Sequence, residues 1–131
     1  MNIIVTGIPR AGTTFAASLI DAAPNSVCLN EPAWHNASAA KDAKGFADFI
    51  VQDFARLRAD FLAGNPVPDR RAADGSQLTN YYENGRENFV TFPLVRKNLT
   101  ADFTLAIKHN GPYLAVMPEL IATKAFTIKA V

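Results

Sequence analysis

Eight residues near the start of the chain, Gly7-Ile8-Pro9-Arg10-Ala11-Gly12-Thr13-Thr14, have the types and spacing to hold an oxyanion. Glycines at both ends of a short loop allow the backbone to curl with its N–H groups turned inward. A helix opening at Thr13 would add four N–H groups without intrahelical partners and the positive end of its dipole. Together these make a cradle for a phosphate-sized group. Arg10 is the one cation inside the loop. A guanidinium there can meet a transferring group or its bridging oxygen directly, without a metal ion.

The loop works only if flanking elements hold it. Residues 2–6 are a β-branched run that reads as a buried strand, and residues 13–23 as a helix stopped by Pro24. Phe15, Leu19 and Ala22 fall on one face of that helix. Residues 26–30 read as a second strand, followed by Glu31. A longer helix, opened by Asp42 or Lys44, runs to about Ala63. Its Phe46, Phe49, Ile50, Phe54, Leu57 and Phe61 recur at spacings of three and four, with Asp48, Gln52, Arg56 and Asp60 opposite. Residues 64–100 carry Pro66, Pro68, Gly75 and Gly85 among polar residues and read as a loop-rich excursion, with Tyr81 and Tyr82 in a short helix inside it. Residues 103–108 are a third strand. A helix begins near Pro112 and is disturbed by Pro118, and residues 125–131 are a fourth strand. Strands alternating with helices predict an α/β fold with a central, mostly parallel sheet.

Composition agrees with one domain over residues 1–131. Hydrophobic residues make up 49% and charged residues 19%, the balance of a chain that buries a core. The lone cysteine, Cys28, excludes an internal disulfide and fits a reducing compartment. A formal net charge of +1 provides no field for nonspecific nucleic-acid binding, and no apolar run reaches the roughly 20 residues that span a bilayer. Neither nucleic acid nor membrane is an expected partner. The segment from Arg86 onward is mildly basic, which suits an anionic ligand without requiring one.

The spacing of the loop matches the nucleotide-binding P-loop except that Thr13 stands where the lysine belongs. That lysine neutralises β and γ phosphates beside Mg²⁺, so this loop suits a less highly charged anion and no metal is expected. VTGIPRAGTTF resembles the 5′-phosphosulfate-binding loop of sulfotransferases, P-[KR]-[ST]-G-[ST]-[ST], with Ala11 replacing a hydroxyl residue. The resemblance implies a three-layer P-loop NTPase-like fold and transfer of a sulfuryl group from 3′-phosphoadenosine-5′-phosphosulfate to a hydroxyl or amine. It assigns Gly7, Pro9, Arg10, Ala11, Gly12, Thr13 and Thr14 to the nucleotide cosubstrate.

Two further segments extend it. Asn30-Glu31-Pro32-Ala33-Trp34-His35 is similar to the E-P-x-W-H string of carbohydrate sulfotransferases. By that analogy Glu31 is the base, and Trp34 and His35 line the acceptor side. Ile107-Lys108-His109-Asn110-Gly111-Pro112 resembles the I-K-T-H-x-P segment of the small-molecule enzymes. Matching Lys108 and Pro112 puts Asn110, rather than His109, at the position of that family's base. Lys108 would then help to hold the sulfuryl oxygens, with His109 beside the acceptor. The family's 3′-phosphate-binding arginine would fall just past Val131, so the chain reads as an N-terminal portion whose fold continues, active alone or not. A loop beginning at residue 7 leaves little room for an anchor, which implies a cytoplasmic enzyme. The rival readings are a P-loop kinase acting on a small metabolite and an inactive nucleotide-binding remnant. Acceptor identity and oligomeric state are not legible in the sequence.

Overall fold

The computed structural model describes residues 1–38 and 41–131. Its centre is a four-stranded sheet, every neighbouring pair parallel, in the order β2-β7-β1-β8, where β1 is Asn2–Thr6, β2 Ser26–Asn30, β7 Thr104–Lys108 and β8 Thr127–Ala130. A parallel sheet needs both faces covered, and both are. On one face α1 (Thr13–Ala22) packs Ala17 and Ile20 against Ile3, Val5, Cys28 and Ala106. On the other, α3 (Ala43–Ala63) and α5 (Met117–Ala122) cover Ile4, Val27, Leu29, Leu105 and Ile107. Alternation along each strand sends successive side chains to opposite layers. No helix among the described residues is long and apolar enough to cross a membrane.

The helices follow local chemistry. Asp42 caps α3 by accepting from the Gly45 N–H at 2.7 Å, and Gly64, at φ 75°, ends it with its N–H on the last carbonyls. The six apolar residues expected on its inner face all join the core, with Phe49 partly buried. The expected helix after residue 111 is two helices, α4 (Gly111–Ala115) and α5, because Pro118 at the start of α5 cannot carry an unbroken ladder through Val116.

Helix α1 is rotated from the expected orientation. Phe15 and Leu19 are exposed, whereas Thr13, Ala17 and Asp21 face inward. Two contacts set that rotation. Ala17 is small enough to let the helix approach the sheet, and Asp21 accepts from the Cys28 N–H at 2.8 Å and from Arg71 through two nitrogens at 2.9 and 3.0 Å.

The largest correction concerns residues 64–100. This segment is not a loose excursion but an arm: β3 (Val67–Arg71) pairs antiparallel with β6 (Val90–Leu94), and a small hairpin of β4 (Tyr82–Glu83) and β5 (Arg86–Glu87) lies between them. Tyr82 lies in a strand, not a helix. Pro68 faces Pro93 across the ribbon, a position a two-stranded edge tolerates. The arm is fastened by charge. Arg71 is 1% exposed and holds Asp69 at 2.8 Å as well as Asp21, while the Asn30 N–H donates to Asp69 at 2.6 Å. Burial pushes the Asp69 carboxyl up to about 6 despite Arg71. Burial also pushes Asp21 up, but its bonds to Arg71 outweigh that and hold it below the usual carboxylate range.

Candidate active site

The strand-to-helix bend between β1 and α1 opens onto a pocket of about 480 Å³, within the roughly 300–1,000 Å³ typical of small-molecule sites. Pro9, Arg10, Gly12, Thr13 and Thr14 form one wall. Gly12 sits at φ 88°, a left-handed conformation that glycine adopts without cost, and the N-terminus of α1 carries no side-chain cap. The first-turn N–H groups are therefore available to a ligand. Two expected loop residues do other work. Ala11 spends its N–H on the Ile8 carbonyl at 3.1 Å. Gly7 is buried where any Cβ would collide with the Val131 carbonyl oxygen, so its lack of a side chain serves packing against the end of β8.

The opposite wall carries Glu31 and Lys108, which leave the C-terminal ends of the adjacent strands β2 and β7. Ligands of open α/β sheets bind at such strand ends. The Lys108 ammonium contacts one oxygen of Glu31, and Arg70 of the arm donates to the other at 3.0 Å. Lys108 also lies over the Tyr81 ring, 4.5 Å from its centre. Arg10 and Glu31 are both non-glycine residues at positive φ, 73° and 46°. Such conformations typically cost about 1 kcal/mol or more and concentrate at functional sites.

Arg70, Tyr81, Thr79 and Asn80 were missed from sequence because they belong to the arm. The signal available was the alternation in Val67-Pro68-Asp69-Arg70-Arg71, which puts Arg71 and Asp69 inside and Arg70 on the other face. Asn110 also lines the pocket, its amide donating to the Thr13 hydroxyl at 3.3 Å.

The structure keeps three expected acceptor residues out of this pocket. His35 is fully buried, its ring nitrogens 2.7 Å from Asp53 Oδ2 and 2.9 Å from the Tyr113 hydroxyl. It braces α2 (Ala33–Ser38) on α3 instead of facing a ligand. Burial pushes Asp53 up, but hydrogen bonds from His35, Trp34 and Arg56 outweigh that and leave it below the usual carboxylate range. His109 follows Lys108 on β7, so alternation turns it to the α3 layer beside Tyr113, with ring centres 5.5 Å apart. It is 5% exposed, and neither ring nitrogen has a partner among the described residues. Burial lowers it to about 4. Trp34 lies beyond Glu31 and donates its indole N–H to Asp53 at 2.8 Å. There it lines a separate recess of about 140 Å³.

Chemically, the large pocket offers backbone donors, three cations and one carboxylate: Arg10, Lys108, Arg70 and Glu31. That surplus of positive charge suits an anion. No group of three or more His, Cys, Asp or Glu side chains able to hold a metal ion occurs among the described residues. Comparison with known protein families, with curated proteins and with solved structures finds no match to the chain.

Proposed function

We propose that this chain carries the donor site of a sulfotransferase that moves a sulfuryl group from 3′-phosphoadenosine-5′-phosphosulfate to a hydroxyl-bearing acceptor, on a P-loop NTPase-like sheet. The observation that carries the reading is the single pocket into which the uncapped α1 N-terminus, Arg10, Lys108 and Glu31 converge. Those residues come from three separate stretches of sequence, each of which resembles the corresponding sulfotransferase segment.

In this reading the α1 N–H groups and Thr14 hold the 5′-phosphate, and Arg10 offsets charge on the bridging oxygen. The acceptor oxygen forms the new O–S bond as the bond from sulfur to the bridging oxygen breaks in line with it. The electron pair leaves with the 5′-phosphate, and the acceptor proton passes to Glu31. Positioning and fixed donors supply the rate acceleration. Glu31 is gripped by two cations before ligand arrives. An anion in the loop competes for Lys108, so donor binding is the event that frees a Glu31 oxygen for the acceptor.

The test is calorimetric titration of the chain with 3′-phosphoadenosine-5′-phosphate and, separately, with ATP and Mg²⁺. The adenosine bisphosphate should bind and be preferred. Arg10→Ala should weaken it roughly 10- to 150-fold, the loss of one charge-assisted hydrogen bond of about 1.5–3 kcal/mol. Glu31→Gln should leave that binding largely intact while cutting transfer by about 10²–10⁴-fold. A preference for ATP with Mg²⁺ would refute the reading.

A further inference from the structure

Arg70 is the one cation that the arm brings to the anion pocket. It arrives there by alternation: β3 turns Val67, Asp69 and Arg71 inward and leaves Arg70 on the other face. Thr79 and Tyr82 of the arm line the same pocket. Asn80 does too, but its side chain is spent on the backbone of Tyr82, donating to the carbonyl at 2.6 Å and accepting from the N–H at 3.4 Å.

The Arg70 guanidinium is held in place yet only partly used. Its Nη1 donates to Glu31 Oε2 at 3.0 Å. Its Nε and Nη2 donate to no protein group among the described residues. The group lies over the Phe89 ring, 5.0 Å from its centre, and Phe89 in turn packs on Tyr81 with ring centres 5.4 Å apart. The side chain is 28% exposed, so a ligand can reach it from solvent. A fixed guanidinium with two donors to spare matches the geometry of a carboxylate or phosphate. Having the group ordered beforehand lowers the entropy cost of binding.

We infer that Arg70 selects the acceptor, and that the acceptor is an alcohol carrying its own carboxylate or phosphate group. The inference rests on the sulfuryl-transfer reading for the acceptor role, and on Arg70 alone for the charge. The hydroxyl meets Glu31, and the anionic group meets Arg70 beside it. Both residues line the same open space as Arg10, Gly12 and Thr14, so acceptor and donor share it. The pairing strengthens as transfer proceeds. Lys108 holds one oxygen of Glu31 and Arg70 the other. When Glu31 takes the acceptor proton it becomes neutral, and Arg70 loses its counter-charge. The anionic group of the acceptor replaces it, whereas a neutral alcohol supplies nothing in its place. An interaction that grows toward the transition state raises kcat as well as affinity.

The full chain, ¹⁵N-labelled, is first titrated with 3′-phosphoadenosine-5′-phosphate, followed at the Gly12 and Thr13 amides. It is then titrated in the presence of that nucleotide with glucose 6-phosphate, glucuronate and glucose, which share a ring and differ in charge. Either anion should shift the Arg70 and Tyr82 amides saturably, and glucose should bind roughly tenfold more weakly than the better anion. The two anions tell a phosphorylated acceptor from a carboxylated one, and a preference for either supports the inference. Arg70→Ala should weaken that anion by roughly tenfold and leave glucose unchanged, with the rest of the spectrum preserved. Arg70→Lys should restore part of the loss. Glu31→Gln imitates the protonated carboxyl and should tighten the anion by about threefold, the effect of removing one neighbouring like charge. An arginine that merely braced Glu31 would give no such tightening. Glucose binding as tightly as both anions, anion binding indifferent to Arg70→Ala, no gain in Glu31→Gln, or displacement of the nucleotide by the anions would each overturn the inference. Failure of the nucleotide to shift Gly12 and Thr13, with Arg70-dependent anion binding intact, removes the sulfuryl reading and leaves the anion site standing. The reverse result removes the anion site alone.

Discussion

Replacing His109 with phenylalanine separates a buried imidazole from everything else that titrates between pH 4 and 7. The ring sits at the end of β7 with both nitrogens unpartnered among the described residues and tilted at 54° against the Tyr113 ring. Burial lowers its pKa from 6.5 to about 4. In the unfolded chain the imidazole takes a proton near 6.5, whereas in the folded chain it does so only near 4. Between those values the unfolded state binds the extra proton, so stability rises with pH and is lost as pH falls through that window. At about 1.4 kcal/mol per pH unit the loss reaches about 3 kcal/mol. Phenylalanine keeps the ring contact with Tyr113 and removes the titration. Any packing offset from the larger ring is independent of pH and cancels in the comparison. Unfolding in urea, followed by far-ultraviolet circular dichroism at pH 7, 6, 5 and 4, should therefore show the variant gaining on the wild type by about 3 kcal/mol toward pH 4. With urea slopes of about 1–3 kcal/mol/M, the midpoints should separate by roughly 1–3 M. Stability curves that run parallel in pH would refute the reasoning, because His109 would then be partnered or hydrated in solution.

Two further substitutions test the frame around the pocket. Arg71→Met leaves Asp69 without its guanidinium and Asp21 with Arg96 alone. The protein should lose about 3–5 kcal/mol, read as a drop in thermal midpoint, and a loss under 1 kcal/mol would show that the arm is not fastened by this network. Gly7→Ala drives a methyl group into the Val131 carbonyl. It should cost about 1–3 kcal/mol and speed hydrogen exchange at the Val131 N–H, which donates to Thr6 at 2.9 Å. Unchanged exchange would show that β8 does not depend on that close approach.

What the chain's order of residues determined by itself was the scaffold and one side of the site. The β-branched run 2–6, the SVCLN strand and the three-and-four spacing of phenylalanines in α3 each encode an element through local periodicity, and each element forms. The glycine-bounded loop also declared itself, because glycine at φ 88° before a helix is a local requirement. Glu31 and Lys108 were legible as strand-end residues, but only pairing of β2 with β7 brought them together across 77 positions.

Tertiary structure alone decided the rest. The arm has little apolar alternation to advertise it, since two of the three inward residues of β3 are Asp69 and Arg71, beside Val67. Their burial becomes favourable only when Asp21 of α1 and the Asn30 N–H arrive to pair them. The same contact turns α1 so that Phe15 and Leu19 face solvent against the pattern of its own sequence. His35 and His109 are equally suggestive as letters, yet strand alternation and the grip of Asp53 send both rings into the core. Arg70 enters the pocket as a consequence of Arg71 pointing the other way. Periodicity is written along the chain, whereas the partner of a buried charge is chosen only when distant segments meet.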